Sequence, residues 1–321
     1  MKRLPLILAF LLVIAFILSL LAGRVWLPPE EILSGHALPS LIVGGIRLPR
    51  SVLALLVGGA LGLSGAVLQG LTRNPLAEPG LLGVSTGAAL GAILAIYFGI
   101  TAISVVAGPF LGIAGALAAC ALTFGLGRGG GTIALVLAGA AVSSLTAAGI
   151  ALALNFAPNP YAAYEIMNWL LGSLADKSWA QVWLVLPFVL IGGVLLATTG
   201  RALDALSLGE AQAESLGVDL NRLRIAAIAG TALAVGAATS VTGAIGFIGL
   251  VAPHLARPLV GHQPSRILLP ATLGGALLLL IADIAARLIH LGPELKLGVF
   301  TSLVGTPFFF WLVIRLKQRA P

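Results

Sequence analysis

"LPLILAFLLVIAFILSLLA" (Leu4–Ala22) runs for nineteen residues without a charge. A bilayer core about 30 Å thick takes roughly 20 apolar residues of helix, so this stretch is long enough to cross one. Met1–Arg3, just ahead, holds two positive charges, the layout of a secretory signal. The apolar run is longer than the roughly 7–15 residues of a signal's hydrophobic region, and no A-x-A site follows, so it reads as a retained first span.

Outward from that stretch the pattern repeats along the chain. Of 321 residues, 59% are hydrophobic and 9% charged, and the mean hydropathy is +1.09. A soluble domain would carry about 25% charged residues. Lipid admits only helices and closed barrels, and these runs lack a barrel's alternation, so the fold class is an all-α polytopic membrane protein. Apolar segments separated by Gly, Pro and charge fall at 4–23, 51–71, 81–98, 102–126, 132–156, 180–199, 223–242, 245–260, 267–290 and 298–316. That gives ten spans in a single transmembrane domain covering residues 1–321. The third and eighth are short and Gly-rich, hence tilted or incomplete.

Several function classes drop out. Ionisable groups in hydrocarbon are costly and mark ion paths; the clear case is Asp283, four residues before Arg287 and able to share its helix face. Without a chain of intramembrane carboxylates or histidines, a proton- or sodium-driven carrier is disfavoured. His36, His254, His262 and His290 are dispersed, Cys120 is the single cysteine, and none has metal-ligand spacing, so no metal site or cofactor is expected. A phosphate-binding G-K-[ST] loop is missing: only Lys177 among the four lysines precedes a serine, and Asp176 precedes it. The basic residues are scattered between apolar runs and form no stripe, so the +7 charge reflects membrane topology and not nucleic acid. Small residues such as Gly58, Gly59, Gly62, Ser64 and Gly65 permit close helix approach; a wide pore of small side chains would look the same.

With the N-terminus inside, twelve of the 18 Lys and Arg residues fall in cytoplasmic connections and six outside. That asymmetry favours both termini in the cytoplasm. It also places a polar island there: Arg201 to Arg224 holds seven charges in 24 residues. Ser207 and Glu210 have the S-x-x-E spacing of a capping box, Gly217 suits a left-handed helix end, and Asp219 suits the cap of the next span. A short helix here is either an ordinary loop helix or a docking element for a soluble partner. The halves of the chain also echo each other. "GLSGAVLQGLTRNPLAEPG" (Gly62–Gly80) and "AVGAATSVTGAIGFIGLVAPHLAR" (Ala234–Arg257) both join a small-residue helix to a Gly/Pro-interrupted segment, starting from opposite sides as an inverted repeat requires.

The segments taken together resemble the FecCD-type permeases of bacterial ABC importers, which carry iron–siderophore complexes, haem or vitamin B12. The resemblance lies in "IRLPR" (Ile46–Arg50), "SGAVLQGLTRNPLAEPGLLGVSTGA" (Ser64–Ala88), "LGEAQAESLGV" (Leu208–Val218), "GAIGFIGLVAPHLAR" (Gly243–Arg257), "ADIAAR" (Ala282–Arg287) and "GVFTSLVGTPFFFWL" (Gly298–Leu312). It implies a type II importer permease in the bacterial inner membrane, working with cytoplasmic ATP-binding cassette ATPase subunits, a periplasmic substrate-binding protein, and a second copy of itself or a paralogous permease.

By that resemblance the loop 201–222 is the coupling-helix loop, with Gly209, Glu210, Ala213, Leu216 and Gly217 seated in the ATPase. Arg47, Arg50 and Arg287 would dock acidic groups of the outer protein, and an arginine fork suits a carboxylate. The pathway would be lined from the fifth and tenth spans by Ser143, Ser144, Thr146, Thr301, Ser302 and Thr306. Hydroxyls of this kind also bond their own helix backbone. In Ala157–Trp179, Tyr161, Tyr164 and Trp169 either face a bulky ring ligand or anchor an interfacial helix. The expected cargo is an iron–siderophore chelate, with haem or vitamin B12 as alternatives within the class. A self-contained secondary transporter is the competing reading, and a membrane enzyme is disfavoured by the lack of any catalytic constellation. ATP hydrolysis would then reside on a partner chain.

Overall fold

Helices with small residues on their faces can approach until backbones touch, and in this protein such helices form the centre. The computed structural model describes residues 3–23, 26–33, 37–104, 106–289 and 294–317. Lys2, Arg24 and Arg319 of the charge count, and His36 and His290, lie outside the described residues.

Among the described residues every element is helical. The main ones are α1 (Leu4–Leu21), α2 (Leu48–Thr72), α3 (Val84–Tyr97), α4 (Ala107–Gly127), α5 (Gly131–Asn155), α6 (Pro160–Leu170), α7 (Trp179–Thr198), α8 (Gly200–Leu206), α9 (Glu210–Ser215), α10 (Leu220–Thr242), α11 (Ile248–Ala256), α12 (Pro264–Leu288) and α13 (Leu297–Lys317). A helix stands at each of the ten expected spans. Those on α1, α2, α4, α5, α7, α10 and α12 are long and apolar enough to cross a membrane. The two spans marked as short are α3, with 14 residues, and α11, with nine.

Glycine explains the centre. A Cβ on Gly58 or Gly62 would strike the α12 backbone at Gly275 and Ala271, and one on Gly65 would strike the Gly249 carbonyl of α11. Gly58, Gly59, Gly62, Ser64 and Gly65 are all buried in α2, so these residues serve close packing and do not line an open pore. Their neighbours also repeat. α2 packs on α12 and α11, while α10 packs on α4 and α3; α3 pairs with α4 and α5, while α11 pairs with α12 and α13. Exchanging α2–α5 for α10–α13 maps the first set of contacts onto the second, which is the expected pseudo-repeat.

The interrupted segments meet at its centre. A Cβ on Gly249 would press on Pro79, and the Glu78 carboxylate accepts a hydrogen bond from the Phe247 backbone. Irregular backbone is tolerated in a membrane only where protein covers it in this way. Glu78 is thus a second carboxylate drawn into the helix bundle, which the hydropathy pattern passed over because it lies in a loop sequence.

On the segment between α5 and α7, α6 is capped by Asn159, whose side chain accepts from Ala162 N at 2.8 Å. Tyr161 and Tyr164 point outward, while Trp169 packs beside Ile93, Ile96 and Ile166.

Candidate functional site: a short surface helix and a buried charge cluster

The polar island folds as two short helices, α8 and α9. The capping box expected at Ser207 and Glu210 does not form. α8 runs up to Leu206, so Ser207 closes that helix and its hydroxyl donates to the Asp204 carbonyl at 2.6 Å. α9 starts from Gly209 instead, at φ +119°, without a side-chain cap. The S-x-x-Q version of the box forms at Ser178 and Gln181, ahead of α7.

The other end of α9 is as expected. Gly217 adopts φ +83°, Val218 N donates to the Ala213 carbonyl at 3.0 Å and Gly217 N to Glu214 at 2.9 Å. These paired bonds make a Schellman motif, in which a left-handed glycine reverses the chain. Asp219 then caps α10, accepting from Asn221 N and Arg222 N, both at 3.0 Å.

Glu210 is spent on holding α9 in place. Its carboxylate accepts from the Thr132 hydroxyl of α5 at 2.6 Å and from Arg224 of α10 at 3.1 Å. The Thr132 hydroxyl, helped by the Arg224 guanidinium and opposed by partial burial, holds it below the usual carboxylate range. Ala213 is fully buried beneath α9, whereas Leu208 and Leu216 are each 64% exposed. Thr132 was missed in the sequence because it lies 78 residues from Glu210, and Arg224, counted in the charged island, was not recognised as the partner of Glu210. Asp204 was missed as well: it caps α12 through Ser265 N at 2.8 Å and accepts from Gln263 Nε2 at 2.7 Å.

At the other end of the bundle the charges turn inward. Asp283 is completely buried and takes both Arg50 and Arg287. Arg50 donates to Asp283 through Nε at 2.9 Å and Nη2 at 2.7 Å, and also pairs with Glu294. Arg287 donates to the Ser19 carbonyl at 2.9 Å and its hydroxyl at 2.8 Å. Arg47 caps the end of α1, donating to the Leu20 and Leu21 carbonyls at 2.9 and 2.6 Å. The Asp283 and Arg287 pairing expected from their spacing is present; the participation of Arg50 was not foreseen. All three arginines are nearly buried, at 6–9% exposure, so their guanidinium groups are committed to holding α1, α2 and α12 together.

The six hydroxyl residues divide. Ser302 and Thr306 line a cleft of about 700 Å³ with Leu170, Ala244 and Val299. Thr301 faces a separate apolar pocket of about 220 Å³ beside Phe247 and Phe300. Ser143 donates to the Gly80 carbonyl at 3.0 Å, Ser144 to its own helix at Ala140, and Thr146 to Val142 and the Thr86 hydroxyl. The structure brings Ser302 and Thr306 together and leaves Ser143, Ser144 and Thr146 on helix and loop packing.

Residues 11–315 match the model of the FecCD transport family. The vitamin B12 import system permease protein BtuC of Klebsiella pneumoniae subsp. pneumoniae is 41% identical over 318 residues, covering 97% of this chain and 93% of that protein. Its namesake in Salmonella typhimurium is 40% identical over 310 residues, covering 96% and 94%. A solved structure described as an inward-facing metal-chelate type ABC transporter superposes with a TM-score of 0.87 at 33% identity, covering 98% of this chain and 99% of that one.

Proposed function

This chain belongs to the FecCD transport family, a multi-pass membrane permease of the ABC importer class, and from that premise we propose how it works. Loop 201–222 is the coupling loop, and α9 seats in a cytoplasmic ATPase subunit that supplies the energy. Gly209 and Gly217 set the two ends of α9, Ala213 holds it to the bundle, and Leu216 enters the partner's cleft. Glu210 carries the displacement to α5 through Thr132. The observation behind this is the combination at one short helix of two leucines 64% exposed with a carboxylate fastened to two spans.

In this proposal both termini are cytoplasmic and two permease chains, identical or paralogous, enclose one pathway. A periplasmic binding protein docks over the ends of α1, α2 and α12, a surface shaped by Arg47, Arg50 and Arg287 from beneath. Ser302 and Thr306 meet the cargo in the cleft of about 700 Å³. Ser143, Ser144, Thr146 and Thr301 border the route as parts of helices that move. The cargo is a metal already enclosed in a bulky organic chelator. A corrinoid is the first candidate because the relatives above are named for vitamin B12 import; an iron siderophore is the second.

The experiment is co-purification with the ATPase subunit, followed by ATP-driven uptake into proteoliposomes supplied with the outer binding protein and cobalamin, haem or a ferric siderophore. Cobalamin uptake that requires the ATPase is the expected result. Uptake of any of them by the permease alone would overturn the ATPase-coupled reading, and uptake of the siderophore alone would reverse the order of cargoes.

A further inference from the structure

A cavity of about 290 Å³ opens where α2 ends, bounded by Gln69, Arg73, Ser207, Arg257 and His262. Its titratable lining is all of the cationic type: two arginines and a histidine, with no carboxylate. Among the described residues no ion pair involves Arg73, Arg257 or His262. Arg257 is nonetheless fixed in place. Gln69, only 2% exposed, donates from Nε2 to the Leu250 carbonyl at 3.2 Å and accepts from Arg257 Nη2 at 2.6 Å. That bond occupies one corner of the guanidinium and orients the rest. Arg73 is held at the left-handed end of α2, at φ +50°.

We propose that this cavity binds a phosphate group, presented either by the headgroup of an anionic phospholipid or as free phosphate. Two guanidinium forks with no competing carboxylate match the oxygens of a phosphate, which arginine engages through paired hydrogen bonds. The volume lies at the lower limit of about 300 Å³ for small-molecule pockets, suiting a headgroup and not a bulky chelate. Basic pockets at the cytoplasmic ends of membrane helices hold anionic headgroups in this manner. Ser207 forms the wall that belongs to the α8–α9 connection, so an occupant bridges the proposed coupling loop to α2. Only the leaflet assigned to the lipid rests on the proposed orientation; the pocket itself does not.

The test uses the full-length permease in detergent, titrated with inorganic phosphate, and in nanodiscs of phosphatidylglycerol or phosphatidylcholine, with retained lipid identified by native mass spectrometry. R73Q, R257Q and, as a charge-matched control, R222Q are compared. Saturable phosphate binding weakened at least tenfold in R73Q and R257Q, but unchanged in R222Q, supports the site with free phosphate as its source. Selective retention of phosphatidylglycerol, lost in the same two variants, supports the lipid source. Because R257Q also strips Gln69 of its donor, R73Q, altering an exposed side chain, guards against a folding artefact. Absence of both signals, or equal loss in R222Q, overturns the proposal. Co-purification of the ATPase is scored separately, so failure here leaves the transport reading intact.

Discussion

Two groups of charges sit at different places in this molecule and are used in opposite ways. Around Asp283 a carboxylate with no exposed surface holds Arg50 and Arg287, joining α1, α2 and α12 in the interior. Around Glu210 a carboxylate one-third exposed holds one hydroxyl and one guanidinium, joining a six-residue helix to α5 and α10. Removing one member of a buried ion cluster strands its partners in a low dielectric, while a partly exposed pair contributes little because water replaces it. The first group therefore locks three helices together, and the second fastens a short helix only weakly. The proposed coupling uses both.

The sharpest break in the comparison is Asp283→Ala. It leaves Arg287 without its carboxylate and Arg50 with Glu294 alone, and the expected cost is about 3–5 kcal/mol. Thermal unfolding in detergent, followed by tryptophan fluorescence, should show a large drop in Tm. An unchanged Tm would mean that the charges around Asp283 are as loosely held as those around Glu210. Replacing Arg50, Asp283 and Arg287 together by leucine should recover much of the loss, since the fully buried charges leave together and Glu294, which loses Arg50, is 30% exposed and can be hydrated.

Next in size is Gly65→Val in α2. The new side chain meets the Gly249 backbone of α11, which cannot rotate away. Overpacking of this type costs about 1–3 kcal/mol. Transport should fall further than stability, because α11 belongs to the interrupted half of the repeat, and parallel Tm and uptake measurements would reveal the difference.

How legible these features were follows the same division. A helix at each of the ten segments could be read because each is written mainly in apolar residues, and even the shortness of α3 and α11 was visible in their glycine content. Gly217 and Asp219 were legible because helix ends are local. Ser207 misled because the capping spacing ignores a helix already running into it; α8 had claimed its hydroxyl. Arg50 with Asp283, Glu210 with Thr132, and Arg257 with Gln69 are separated by 78–233 residues, and no local periodicity records such pairs. The family resemblance directed attention to Arg47, Arg50 and Arg287 but carried no information about which way their side chains turn.

A smaller effect is expected from acid at Glu210. Its folded-state pKa lies below the unfolded value, so the stabilisation it gives is fully present above the unfolded value and is lost progressively as pH falls from there through the depressed folded value. Hydrogen exchange over residues 210–217 should be flat from neutral pH down to the ordinary carboxylate range, rise as pH falls through that range, and level off below the depressed folded value, after correction for the intrinsic rate. Glu210→Gln retains an acceptor for Thr132 and removes the attraction to Arg224, so it should abolish the acid-dependent rise at a cost of roughly 0.2–1 kcal/mol. If the rise persisted in that variant, another group would be fastening α9.

The smallest structural change tests the largest functional claim. Leu216 is 64% exposed and follows the last turn of α9, where its side chain contributes little to the fold. Leu216→Ser should therefore alter stability by no more than about 0.5 kcal/mol, as surface substitutions do. At an interface, a leucine buried by a partner contributes about 1.5–3 kcal/mol of apolar transfer, enough to weaken ATPase binding at least tenfold. Equilibrium binding of the purified ATPase to wild-type and variant permease in nanodiscs, with Tm measured alongside, separates the two quantities. Unchanged affinity together with unchanged Tm would make α9 an ordinary solvated loop helix, and the contrast between a locked end and a driven end would lose its driven half.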